Sequence, residues 1–281
     1  QSGSPLAYPV LLKAAMSFSF RWEPSGATSA LLDYARVCGK NGDIKTADKI
    51  CKLLIAKCND KLNIQNKTSA LQLYTDLHGA DAMPLILKAA SHPDSKYRNA
   101  AIKMLASPGN PEVVKKWISY FPKATAEAKP EIITMLGNTG SKEAKALVES
   151  ALGFNEGAVR QAAAEAIANI SGKDAAPFLI NYIKSFNDEA DQLAAFNAFR
   201  SIAGNEEVDL LLPVLKEGPT AARKSAIAIM AWKKQPKYFA EILPYTSGED
   251  ESVKLSALRA LESLSEPQDQ EVLIKLLSEN E

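Results

Sequence analysis

The sequence predicts an all-α fold, a right-handed α-α superhelix of about eight helical hairpins with a period of about 31 residues. Three regularities carry that prediction. A column of small residues, broken once by Ile132, reads Ala70, Ala101, Ile132, Ala163, Ala195, Ala226 and Ala257, with spacings of 31, 31, 31, 32, 31 and 31. Four residues after each stands a large apolar group: Tyr74, Leu105, Leu136, Ile167, Phe199, Met230 and Leu261. A third column, Ile86, Trp117, Val148, Leu179, Leu211, Ile242 and Leu273, belongs to a second helix in each unit. Positions i and i+4 share one helical face, where the small residue admits a neighbouring helix and the large one fills the layer. Such a hairpin buries its apolar face only by stacking on copies of itself.

The chain opens on Ala7-Tyr8-Pro9-Val10-Leu11-Leu12-Lys13-Ala14-Ala15, which matches Ala82-Met83-Pro84-Leu85-Ile86-Leu87-Lys88-Ala89-Ala90 at an offset of 75 residues. Residues 1–19 therefore read as the second helix of a truncated repeat, with the array expected to continue upstream. Residues 20–64 hold a longer, irregular repeat with helices near 28–38 and 45–58 and a turn at Gly39-Lys40-Asn41-Gly42. Residues 65–281 hold seven regular repeats, so the whole chain 1–281 reads as one solenoid. Turns between antiparallel helices are expected at Gly79, Pro108-Gly109, Gly137 to Gly140, Gly172, Gly204, Gln235-Pro236 and Glu266-Pro267. Pro213 and Pro244 occupy equivalent places in adjacent second helices, where each should bend or shorten its helix by removing a backbone donor.

Of 281 residues 33 are Lys or Arg and 33 Asp or Glu, so no global field attracts nucleic acid or an anionic membrane. No run reaches the ~18 apolar residues that a membrane span needs. Residues 5–20 are apolar, but Pro9 and Lys13 interrupt them and no basic region precedes them, so they read as a repeat helix in preference to a signal peptide. The compartment stays open between cytoplasm and periplasm. Cys38, Cys51 and Cys58 are odd in number and cannot form a complete disulfide framework. Cys51 and Cys58 share a helical stripe and read as buried small hydrophobes, with a Cys38 to Cys51 bridge as the alternative.

A basic column recurs near the start of the first helices: Lys67, Arg98, Lys129, Arg160, then Gln192, Arg223 and Lys254. Asp94, Glu156, Asp188 and Asp250 stand four residues before four of these positions. The column is either a cationic ladder for an acidic ligand or a stack of caps and inter-repeat hydrogen bonds, and the accompanying acids favour the second. On the second helices the exposed positions should be Pro84, Lys115, Ala146, Pro177, Asp209, Ala240 and Glu271, with Lys88, Ser119, Ser150, Asn181, Pro213, Pro244 and Lys275. This strip is mixed and almost neutral, without the basic run or aromatic platform of a nucleic-acid site. Tyr120, Tyr182 and Tyr245 share a neighbouring column, with rings expected in the core and hydroxyls at the groove edge. The candidate partner-binding groove is Lys88, Ser119, Tyr120, Ser150, Asn181, Tyr182 and Tyr245.

The stretches VRQAAAEAIANISGKDAAPFLINYI, SVKLSALRALESLSEPQDQEVLIKLL and KYRNAAIKMLASPGNPEVVKKWISYF resemble HEAT repeats, closest to the short bacterial phycobilisome-lyase kind. The resemblance covers residues 65–281 and, more loosely, 1–64. It implies a superhelical scaffold whose partner is another protein or a neighbouring domain of the same polypeptide. A second reading makes the array an accessory module that positions a catalytic, carbohydrate-active domain outside this chain. Bilin lyase is the one enzymatic activity the resemblance implies, and no residue pattern adds to it. His78 and His92 belong to no His-Glu-x-x-His pattern, and no phosphate-cradling or Gly-x-Ser-x-Gly motif occurs. No catalytic, cofactor-binding or metal-ligating residues are therefore expected.

Overall fold

The computed structural model describes residues 4, 6–106 and 110–279, and every element among them is helical, with no strand. Asp and Asn side chains open several helices, since an acceptor at the N-cap satisfies one of the free backbone N–H groups of the first turn. Asp43 accepts from Thr46 N–H, Asp94 from Tyr97 N–H, Asn110 from Val113 N–H, Asp188 from Ala190 and Asp191 N–H, and Asp250 from Ser252 and Val253 N–H. Hydrogen bonds from Thr220 and Ser252 lead the effects that hold the Asp250 carboxyl at a pKa of about 2. Glu156 occupies the equivalent place without a side-chain cap bond.

The chain divides into two units, Gln1–Ala144 and Lys145–Glu281. The first contains α1 (Ala7–Ser17), α2 (Ala27–Lys40), α3 (Ile44–Lys57), α4 (Ile64–His78), α5 (Met83–Ala89), α6 (Ser95–Lys103), α7 (Pro111–Tyr120) and α8 (Ala128–Thr139). Here α2, α4, α6 and α8 stack as successive first helices, while α3, α5 and α7 are second helices. The second unit contains α9 (Lys145–Ala151), α10 (Gly157–Ser171), α11 (Ala176–Ser185), α12 (Glu189–Ile202), α13 (Asn205–Asp209), α14 (Leu212–Glu217), α15 (Thr220–Lys233), α16 (Lys237–Ile242), α17 (Glu251–Leu264) and α18 (Gln270–Glu279). Its first helices α10, α12, α15 and α17 stack in that order.

The small column is fully buried in every repeat, from Ala70 to Ala257, as are Ile86, Trp117, Val148, Leu179, Leu211 and Ile242 of the second-helix column. A bulky group at Ala163 has nowhere to go. Ala163→Leu is therefore expected to cost about 1–3 kcal/mol through overpacking, read as a lowered melting midpoint. A variant that melts with the parent would refute the register.

The large column departs from expectation at Leu105. Helix α6 stops at Lys103, and Leu105 takes a left-handed conformation (φ 61°) while Met104 is buried in its stead and lies beside the Thr75 hydroxyl. The C-cap Met104 is extended, and Leu105 follows in the left-handed conformation that commonly closes a helix. The turn expected at Pro108-Gly109 lies outside the described residues. Gly79 and Gly172, both at φ 54°, and Gly140, at φ 62°, close α4, α10 and α8 as the turn pattern anticipates. Gly39 is not a turn residue. It lies inside α2, where a Cβ would stand 2.5 Å from Leu77 of α4, so its smallness sets a close helix approach rather than a chain reversal.

Proline acts as expected in the second helices of the second unit. Pro213 stands in the first turn of α14, which is separated from α13, and Pro244 opens a 3-10 turn, Leu243–Ser247, that ends α16. The three cysteines are buried free thiols, so there is no Cys38 to Cys51 bridge. Burial pushes Cys51 up to about 12 and Cys58 up to about 11, which leaves both protonated at neutral pH.

Candidate functional site

The basic column is largely consumed inside the fold. Arg98, at the start of α6, donates to Glu131 of α8 through Nε and Nη2 at 2.9 and 2.8 Å, and to the carbonyls of His92 and Pro93 just before its own helix. Arg160 repeats the arrangement in the second unit. It reaches Asp191 of α12 at 2.6 Å and the carbonyls of Phe154 and Asn155 at 2.8 Å, and its guanidinium lies over the Phe186 ring. Gln192 takes the same place one repeat later, donating to the Ile183 and Phe186 carbonyls and accepting from Ser225. Each of these residues ties the preceding loop to its own helix and to the next first helix. A planar fork with several donors suits that task, which explains Arg there.

Lys67 and Arg223 have no carboxylate partner among the described residues, and Arg223 reaches only the Lys216 carbonyl at 3.4 Å. Lys67 is buried in α4 with 7% of its surface exposed, and among the described residues its ammonium meets the Asn59 amide oxygen at 2.6 Å and the face of Tyr97 at 5.2 Å. Arg98 and Arg160 find their acids 33 and 31 residues on, whereas residues 98–100, the matching stretch for Lys67, are Arg, Asn and Ala. No carboxylate pairs with Lys67 among the described residues. Burial lowers its pKa, and the nearby charge of Lys88 acts in the same direction.

The groove residues divide between the two units. In the first, Lys88 and Ser119 are exposed on α5 and α7, and the Tyr120 hydroxyl lies 2.5 Å from that of Ser91. Ser119 and Tyr120 border a pocket of about 380 Å³ that also exposes Lys115, Lys116 and Lys123. In the second unit Ser150 and Asn181 are exposed and Tyr245 is half-buried. Tyr182 is turned into the core, where its hydroxyl donates to Asp191 at 2.5 Å, because the Asp191 carboxylate needs donors besides Arg160. Of the remaining strip positions, all are exposed except Asp209, which is held by Lys237 and by the Tyr238 hydroxyl.

His78 joins α4 to α3 through Asp48, 2.5 Å from its Nε2, and stacks on Tyr74. His92 accepts at Nδ1 from Asp94 N–H, which places the ring proton on Nε2. No three His, Cys, Asp or Glu side chains among the described residues converge as metal ligands, and no helix there is long and apolar enough to cross a membrane.

Comparison with known proteins finds a likeness over part of the chain. The HEAT repeat family matches residues 114–200. The stacked helical hairpins within each unit are those of an α-solenoid, and the repeats that residues 114–200 match generally serve as protein-interaction scaffolds. The crystal structure of an engineered protein, a Northeast Structural Genomics Consortium target, is similar over 92% of this chain and 78% of its own, with 17% identity and a TM-score of 0.36. No curated protein matches the chain.

Proposed function

We propose that the chain is a non-catalytic scaffold that binds a protein partner, or a neighbouring domain of its own polypeptide, on the exposed faces of its second helices. One observation carries this reading: the first helices spend much of their polar capacity on stapling repeats together, whereas the second helices leave an exposed polar strip. In the first unit that strip is basic as well. Lys115, Lys116 and Lys123 line the pocket with Ser119 and Tyr120, with Glu112 as the one acid side chain among the described residues there, and Lys88 is exposed on α5. A mixed polar surface with a few half-buried aromatic rings suits reversible association. The buried, protonated Cys51 and Cys58 thiols and a histidine committed to Asp48 support a binding role over chemistry.

Photo-crosslinking tests the reading. A photoreactive residue at Ser119 or Asn181 is expected to capture one discrete protein, and the same residue at Lys96 or Glu165, exposed on first helices, is expected to capture none. Equal capture from both faces, or none from either, would refute the assignment.

A further inference from the structure

The uncompensated ammonium of Lys67 does not stand in a sealed core. It borders a pocket of about 460 Å³ in the first unit, between α3, α4, α5 and the start of α6. Lys52, Lys88 and His92 line the same pocket, and no carboxylate does. Lys52 already has a partner in Asp48 at 3.2 Å, whereas Lys88 and His92 make no ion pair among the described residues. Ile55 and Leu85 supply an apolar wall. Taken together, the lysines present positive charge, beside a neutral imidazole and a surface that favours aliphatic matter.

The repeat register indicates the chemistry that is missing. At Arg98 and Arg160 the neighbouring first helix supplies a carboxylate, Glu131 or Asp191, to the cation at this position. At Lys67 the neighbouring helix supplies Tyr97 instead. We infer that the pocket bordered by Lys67, Lys88 and His92 receives a carboxylate from an acidic segment of a bound polypeptide, with the aliphatic stem of that residue against Ile55 and Leu85. This rests on the scaffold reading above and names the chemistry of the partner at one end of the groove, beside Lys88. A Glu side chain fits the combination of negative head and methylene stem. A free phosphate would leave the apolar wall uncovered.

The probe is the pentapeptide acetyl-Leu-Glu-Leu-Glu-Leu-amide, compared with its Gln counterpart and with inorganic phosphate. The readout is the NMR shift of the lysine side-chain and histidine ring signals. The Glu peptide is expected to move the Lys67, Lys88 and His92 signals saturably, while the Gln peptide and phosphate leave them in place. Lys88→Glu, a change at an exposed position, should weaken binding at least tenfold. Lys67→Met should also weaken binding at least tenfold while melting no lower than the parent, because it removes a buried charge that lacks a counter-ion. A purely structural lysine would lower the midpoint when replaced.

Equal shifts from the Glu and Gln peptides would overturn the inference, as would shifts produced by phosphate with the Glu peptide silent. If crosslinking from Ser119 captures a partner and the Glu peptide moves nothing, the pocket assignment fails and the scaffold reading stands. If the Glu peptide binds as described and no partner crosslinks, the scaffold reading fails and the pocket remains a carboxylate site.

Discussion

Arg160→Ala is expected to destabilise the protein by about 3–5 kcal/mol, because it strands a buried carboxylate. Asp191 is 1% exposed and takes its closest contacts from the Arg160 guanidinium at 2.6 Å and the Tyr182 hydroxyl at 2.5 Å, with a longer one from Gln161 at 3.4 Å. With Arg160 gone, the two neutral donors remain to offset the desolvation of a full charge. The Phe154 and Asn155 carbonyls lose a donor as well, which loosens the loop leading into α10. In a thermal melt the midpoint should fall by on the order of 10 °C. The apolar triple replacement Arg160→Met, Asp191→Leu and Tyr182→Phe is expected to recover most of that loss, since a buried ion pair contributes little net stability over well-packed hydrophobic groups. A fall of less than ~1 kcal/mol for Arg160→Ala, the range of an exposed ion pair, would show that Asp191 is reached by water.

Trp117→Ala should be comparably damaging, at about 3–5 kcal/mol, for a different reason. Trp117 is fully buried in α7 and meets the Tyr120 ring edge-on at a centroid distance of 5.9 Å. Truncation leaves a cavity that the surrounding helices cannot close. Its indole N–H has no hydrogen-bond partner among the described residues, so the ring acts through volume alone. Trp117→Phe is accordingly expected to cost less than ~1.5 kcal/mol, because it preserves most of the volume and removes a buried donor. Urea midpoints of the two variants check this. Similar losses for Phe and Ala would mean that the indole nitrogen has a role.

Much of this architecture was legible in the residues. The Ala column, the Trp117 column and the breaks at Pro213 and Pro244 depend on local rules: which positions share a helical face and which backbone donor is absent. They hold in the structure apart from Leu273, which is half-buried, and the exposed strip from Pro84 to Lys275, Asp209 aside, follows from the same periodicity. Where the pattern misled, a tertiary contact had intervened. Gly39 reads as a turn residue but serves the approach of Leu77, and Leu105 yields its buried place to Met104 because α6 ends early. Tyr182 shares a column with Tyr120, yet its hydroxyl turns inward to Asp191 while that of Tyr120 meets Ser91.

By itself, then, the sequence determined the hairpin period, the buried faces and the absence of familiar catalytic motifs, because burial periodicity is a property of each helix alone. The tertiary structure decided what the charges do. The basic column from Lys67 to Lys254 looks uniform in the sequence, and only the fold separates Arg98 and Arg160, which are neutralised by the next repeat, from Lys67, which is not. Neutralisation depends on which side chains from separate helices come within about 3–4 Å of one another. No spacing along a single chain specifies that distance.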